Sequence, residues 1–266
     1  NNAIMQHLIR RFKAEGRTDP LAHVDSRPEI CAVEAVSRAI HLAEWAQAKL
    51  HICHEGCKDV LPIIQAAKAR GVDVTCETAP HYLLLTAEEM ERLGNVMKMN
   101  PPVRYRGHQE ALWDGLRLGI IDMIATDHSP HSPEEKKKQN VWEAISGFPG
   151  VETALPLMLT EMNQGRFSLN DYARWASENP ARAWGLYPKK GAVMVGADAD
   201  LVLVDLNRES VIRAEALHSK SKVTPFDGVK VKGLPVMTIA RGKIVMEDGK
   251  VVGAPGWGRL TTPSAR

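Results

Sequence analysis

Apolar positions in residues 29–48, EICAVEAVSRAIHLAEWAQA, fall at three- and four-residue spacing, which predicts an amphipathic helix. The period then switches. KLHICH predicts a short strand, DVLPIIQAAKARG a helix closed by Gly71, and VDVTCETAPH a second strand. TAEEMERLG predicts a further helix, with Thr86 as its N-cap and Glu89 completing a capping box. NVMKMNPP predicts a third strand, HQEALWDGLRLG a helix, and IDMIATDH a fourth strand. Strands alternating with helices in this way predict an α/β fold in which helices cover parallel strands. From about Lys190 the texture changes: GAVMVGADADLVLVDLN and VMTIARGKIVMEDGKVVG carry β-branched runs broken by Gly-Ala-Asp and Glu-Asp-Gly turns. They predict a small antiparallel β unit after the helix LNDYARWASENPARAWGL.

Composition changes this picture little. With 266 residues, 44% apolar and 25% charged, the chain can bury a sizeable core, and disorder is excluded. A net charge of +2 without a basic stripe gives no reason to expect nucleic-acid or membrane partners. The KKK at 136–138 follows Glu134 and Glu135 and predicts a solvated loop. The opening NNAIMQHLIRRFKAEG lacks an apolar export core, and no run of about eighteen apolar residues occurs, so a cytoplasmic location is expected. Cys31, Cys53, Cys57 and Cys76 lack paired spacing and read as reduced thiols; the C-x3-C of Cys53 and Cys57 has no second pair to complete a structural zinc site. Trp45, Trp113 and Trp142 have helical neighbours and are expected in the core.

The chemistry sits where the predicted strands stop. They end at His54, His81, Asn100 and Asp127, and in parallel α/β folds the carboxyl ends of the strands form the functional face. Two imidazoles and a carboxylate make a ligand set for Zn2+, Mn2+ or Fe2+. Asp127 has a second possible task, because a carboxylate beside a Lewis acid can take a proton from water and hand it to a leaving group, which suggests hydrolysis. His41, within a helix, and His51 read as ordinary hydrogen-bonded histidines. Glu55 and Glu77 either orient the imidazoles or form strand-end salt bridges, and Lys98 has no assigned role.

The segments CHEG, ETAPHYLLLT, MNPPVR, IATDHSPH, GFPGVETALPL, NPARAWGL and GADADLVLVD, in that order, resemble the cyclic-amide hydrolases of the amidohydrolase superfamily: dihydroorotases, allantoinases and hydantoinases. The resemblance covers about residues 20 to 250. It implies a TIM-type (β/α)8 barrel, here about its second half over 1–185, followed by part of a small β-sandwich over 186–266. It implies that His54, His81 and Asp127 bind metal, and that Asp127 also shuttles the proton. Asn100 and His131 would hold a dihydroorotate-like substrate, and the GFPG loop, with Pro149 and Gly150, would touch its ring. The implied cofactor is Zn2+, two ions in the intact enzyme, with Mn2+ or Fe2+ as alternatives. The implied small-molecule partner is a cyclic amide.

Two expected features are missing: an H-x-H pair followed by an arginine, and a strand-end lysine that bridges two metals. The expectation is therefore a portion of a longer protein, associated either with a second copy or with its N-terminal half. The substrate signals divide. MNPPVR, the second histidine of DHSPH and GVETALPL favour dihydroorotase, whereas SRPEICAVEAV, CETAPHY and SKSKVTPFDGVKVKGLPVMTIARGKIV read like allantoinases and hydantoinases. A dihydroorotase-like hydrolase is the reading favoured here. A non-catalytic, dihydropyrimidinase-related scaffold is the rival from another class.

Overall fold

A computed structural model describes residues 1–263. The chain divides into two units, Asn1–Val151 with Ala214–Asp227, and Glu152–Arg213 with the residues from Gly228 onward.

The first unit holds three parallel strands in the order β1 (Leu50–Ile52), β2 (Val74–Thr78) and β3 (Met123–Ile124). Along β2, Val74, Cys76 and Thr78 are buried while Thr75 and Glu77 are only half-buried, the two-residue alternation of a pleated strand. The helices are those the apolar spacing predicts. Ile30–Ala46 buries Val36, Ile40 and Ala43; Leu61–Ala69 starts with Pro62 in its first turn and is followed by left-handed Gly71; Gln109–Arg117 buries Leu112, Trp113 and Leu116. The capping box also forms, with the Thr86 N–H donating to Glu89 Oε2 at 2.9 Å. Backbone bonds from Glu55 N–H to Glu77 O and from Ala125 N–H to Thr78 O, both 2.8 Å, carry the pairing past the strand bounds. The carboxyl ends of the three strands are thereby level.

Three expectations fail in this unit. NVMKMN is not a strand: Gly94–Met97 forms a 3-10 turn, and the segment pairs with no strand among the described residues. Its polar groups find other partners, Asn95 Nδ2 donating to Lys138 O and Lys98 O accepting from the Gly147 N–H, so no ladder is needed. The KKK segment is not wholly solvated, because Lys136 is 0% exposed and its ammonium donates to Lys98 O and Ile145 O. Trp45 is 87% exposed: the helix turns that residue outward, whereas Trp113 is 1% exposed as expected.

The second unit carries a four-stranded antiparallel sheet in sequence order, β4 (Leu201–Val211), β5 (Lys230–Ala240), β6 (Lys243–Glu247) and β7 (Lys250–Val251). Arg241–Gly242 and Asp248–Gly249 have positive φ at both positions (46 and 77, 44 and 77), the two-residue hairpin geometry that matches strand twist. Helix Val151–Asn163 ends at Asn163, whose Nδ2 donates to Leu206 O and Lys232 O of the sheet. Among the described residues no helix is long and apolar enough to cross a membrane.

Candidate active site

Each parallel strand is followed by an ionisable side chain, by one of two local devices. After β1 the backbone turns left-handed at His54 (φ 44), and beyond β3 it does so again at Asp127 (φ 45). Neither residue is glycine, so each position costs about 1 kcal/mol or more, and such strain collects at functional sites. After β2 the fixed φ of Pro80 starts a short helix, Pro80–Leu84, with His81 in its first turn. His81 is thus delivered by a helix start rather than by the strand end that the sequence suggested.

The environment of these groups differs from that of surface histidines and acids. His81 is 2% exposed, stacked obliquely on Tyr82 at 4.1 Å and met edge-on by Phe148 at 5.3 Å. Burial, and secondarily the nearby His54 charge, push its pKa down to about 3, so the ring is neutral. Burial raises the carboxyl of Asp127 above its ordinary value, His54 lowers it, and Glu77 raises it again. His54 therefore interacts electrostatically with both His81 and Asp127. His54 Nδ1 and His81 Nε2 are both buried without a hydrogen-bond partner. Leaving such an atom unpaired costs about 1–3 kcal/mol, and imidazole lone pairs of this kind fit a borderline divalent cation.

The remaining candidates differ in their surroundings. Asn100 is exposed. His131 Nε2 lies 3.2 Å from Ser129 Oγ, and Ser129 N–H donates to Phe148 O at 3.1 Å. Pro149 is buried and Gly150 half-buried. The GFPG loop is pressed against the end of β3: a Cβ on Gly150 would stand 2.7 Å from Thr126 O, and one on Gly147 2.5 Å from Ser129 Oγ. His128 Nδ1 accepts from the Gly150 and Val151 N–H groups at 3.1 and 3.2 Å, so its lone pair anchors the loop.

The two glutamates take neither role foreseen for them toward His54 or His81. Glu55 is buried and braces the turn after His54, its Oε1 accepting from the Cys57 N–H at 2.7 Å; burial pushes its pKa up to about 7. Glu77 does orient an imidazole, but that of His51, whose Nε2 is 3.1 Å from Glu77 Oε2. His51, Cys53 and Glu77 have donor atoms that all lie within 4.8 Å of one another, whereas among the described residues His54, His81 and Asp127 do not form such a set.

Comparison with known proteins shows the family. The Amidohydrolase family pattern matches residues 16–245. The chain belongs to the amidohydrolase family. It is 40% identical over 264 residues to an allantoinase of Rubrobacter xylanophilus, covering 99% of this chain and 58% of that one. It is 45% identical over 216 residues to a dihydroorotase of Geobacter sp., covering 81% of this chain and 50% of that one. A solved L-hydantoinase from Arthrobacter aurescens superposes with a TM-score of 0.95 at 40% identity, covering 98% of this chain and 58% of that one. The amidohydrolase chain therefore spans between half and three-fifths of these relatives. Its fold neighbours are of the TIM-barrel type, with α/β content.

Three features near these residues were not picked out from the sequence. Phe148 was visible only as part of GFPG, and nothing local says that its ring edge meets His81. Lys98, given no role, is buried and donates to Val141 O at 2.7 Å and to Ala144 O, tying the segment before Gly147 to the residues before Asn100. The third is the Cys53–His51 pair, for which a signal existed: residues two apart on a strand share a face.

Proposed function

We propose that the intact protein hydrolyses a cyclic amide at a centre formed by His54, His81 and Asp127, in a TIM-type barrel of which residues 1–185 form about the second half, with 186–266 belonging to a β-sandwich. The observation that carries this is the pair of buried, partnerless nitrogens, His54 Nδ1 and His81 Nε2, with His54 acting electrostatically on both His81 and Asp127. These residues would hold a divalent cation, Zn2+ in first place and Mn2+ or Fe2+ as alternatives. When bound, such an ion supplies Lewis-acid polarisation and acidifies water. His81, neutral and packed against Tyr82 and Phe148, would offer the lone pair of its partnerless Nε2 to the ion. Asp127 takes the proton of the attacking water as the oxygen joins the ring carbonyl carbon, then returns it to the ring nitrogen as the C–N bond breaks.

The substrate proposed is a dihydroorotate-like ring. Asn100 and His131 offer an amide and an imidazole that suit a ring carboxylate, and a dihydroorotase is among the relatives at 45% identity. Allantoin and hydantoin rings are the second reading, favoured by the 98% coverage of this chain by an L-hydantoinase structure. The proposed protein partner is a second copy or the segment carrying the rest of the barrel, because β1 and β3 are each paired on one side only among the described residues. Full-length, metal-loaded protein assayed on dihydroorotate, allantoin and hydantoin is expected to open at least one ring. Turnover of none, with metal analysis showing no bound ion, would replace this reading by the non-catalytic scaffold.

A further inference from the structure

A second cluster of donors lies one strand position earlier, and the hydrolytic reading does not use it. At the end of β1 His51 and, just beyond the strand, Cys53 alternate with Ile52, which is buried between them. The register sets His51 beside Thr75, so Glu77, two residues on along β2, faces the same side. The result is an imidazole, a thiol and a carboxylate whose donor atoms lie mutually within 4.8 Å. A tetrahedral zinc site built from ordinary Zn–N, Zn–O and Zn–S bonds has donor separations of about 3.3–3.6 Å. His51 Nε2 and Glu77 Oε2, at 3.1 Å, are already near that spacing. Only modest side-chain movement brings in Cys53.

The hydrogen bonding suits a cation too. His51 Nδ1 is 2.8 Å from Thr75 Oγ1, and a hydroxyl can either donate or accept. Without an ion, the threonine hydroxyl donates to Nδ1 and Nε2–H donates to Glu77. With one, the proton sits on Nδ1 and donates to Thr75 Oγ1, leaving the Nε2 lone pair for the metal. That exchange of tautomers releases no proton. Cys53 loses its thiol proton to solvent as the sulfur–metal bond forms, the usual coupling of thiol ligation to proton release. A thiolate, a carboxylate and a divalent ion sum to zero charge, which suits a place where the His51 and Glu77 side chains are 18% and 16% exposed. Cys53 itself is exposed, which leaves an approach for the ion and a fourth position for water.

We propose that His51, Cys53 and Glu77 form a cation site for a borderline-to-soft divalent ion of the Zn2+ or Cd2+ class, separate in its ligands from His54, His81 and Asp127. The mixed nitrogen, sulfur and oxygen donors exclude Mg2+ and Ca2+ as its occupants. The proposal is independent of the hydrolytic reading. Co2+ serves as the probe: titrated into the metal-stripped full chain, it gives a thiolate-to-cobalt charge-transfer band of one equivalent. Cys53→Ser abolishes that band, and Glu77→Gln weakens the cobalt affinity at least about tenfold, one lost ligand being worth about 1.4 kcal/mol or more. The double variant His54→Ala, His81→Ala keeps the band, and so do Cys57→Ser and Cys76→Ser. In the unmodified chain, saturating Zn2+ slows alkylation of Cys53 at least tenfold. Absence of the band, its survival in Cys53→Ser, its loss in the double histidine variant, or unchanged alkylation of Cys53 would each overturn the proposal.

Discussion

In the antiparallel sheet, ionisable side chains are paired at the surface: Arg208 with Asp248 and Lys232 with Glu209. Its left-handed residues, Arg241 and Asp248, sit in two-residue hairpins, where the twist of the strands calls for that conformation. At the ends of the parallel strands the same backbone conformation falls on His54 and Asp127, which make no hairpin, and ring nitrogens are left buried without partners. The two regions use one conformation for opposite purposes. In the first it relieves the geometry of a turn. In the second it is a local cost, carried by an imidazole and a carboxylate residue and sustained by the surrounding packing.

Substitutions test that contrast. The largest expected effect is on turnover: if the proposed function holds, Asp127→Asn in the full-length protein lowers kcat by about 10²–10⁴-fold, the usual contribution of a positioned general acid-base. Asp248→Asn in the hairpin should leave kcat within about twofold, since the carboxylate pairs with Arg208 at the surface. Equal losses, or none, would erase the distinction between the regions.

Next comes the buried lysine pair that supports the loop before Gly147. Lys136→Met leaves Lys98 O and Ile145 O without that donor and is expected to lower unfolding free energy by about 2–4 kcal/mol, read from the urea midpoint. Burial pushes Lys136 down to about 7 and Lys98 to about 8 from an ordinary value of 10.5. The folded chain then binds fewer protons than the unfolded chain between those limits, so the contribution of the pair to stability grows as pH rises from about 7 toward 10.5. Lys136→Met should flatten this rise, and an unchanged slope would show that Lys136 is not the titrating group.

Smaller effects follow at glycines. Gly150→Ala would place a Cβ 2.7 Å from Thr126 O, which is backbone and cannot move aside, and should cost about 1–3 kcal/mol. Gly249→Ala meets nothing within 4 Å and carries only the penalty of positive φ, about 1 kcal/mol. Thermal denaturation ranks the two. Smallest is Arg208→Ala, an exposed ion pair, expected within about 0.5 kcal/mol of the unmodified chain.

Local pattern decided the helices and most strands. Spacing of apolar residues is a property of the chain itself, so Ile30–Ala46, Leu61–Ala69 and Gln109–Arg117 could be read directly, as could the Asp248–Gly249 turn and the Thr86–Glu89 capping box. The order of His54, His81 and Asp127 after successive strands was legible for the same reason. What could not be read depends on partners distant in sequence. NVMKMN has strand-like composition, yet the Asn95 and Lys98 groups bond to residues more than forty positions away. Lys136 lies in a charged run whose composition predicts water, and only the carbonyls of Lys98 and Ile145 make its burial tolerable. Cys53 and Glu77 are ordinary in sequence and become neighbours only because β1 and β2 pair in one register. The sequence determined where chemistry-bearing residues stand along the chain. Tertiary structure alone decided which of them meet, because desolvation and pairing are set by whatever packs against a group rather than by its neighbours in the chain.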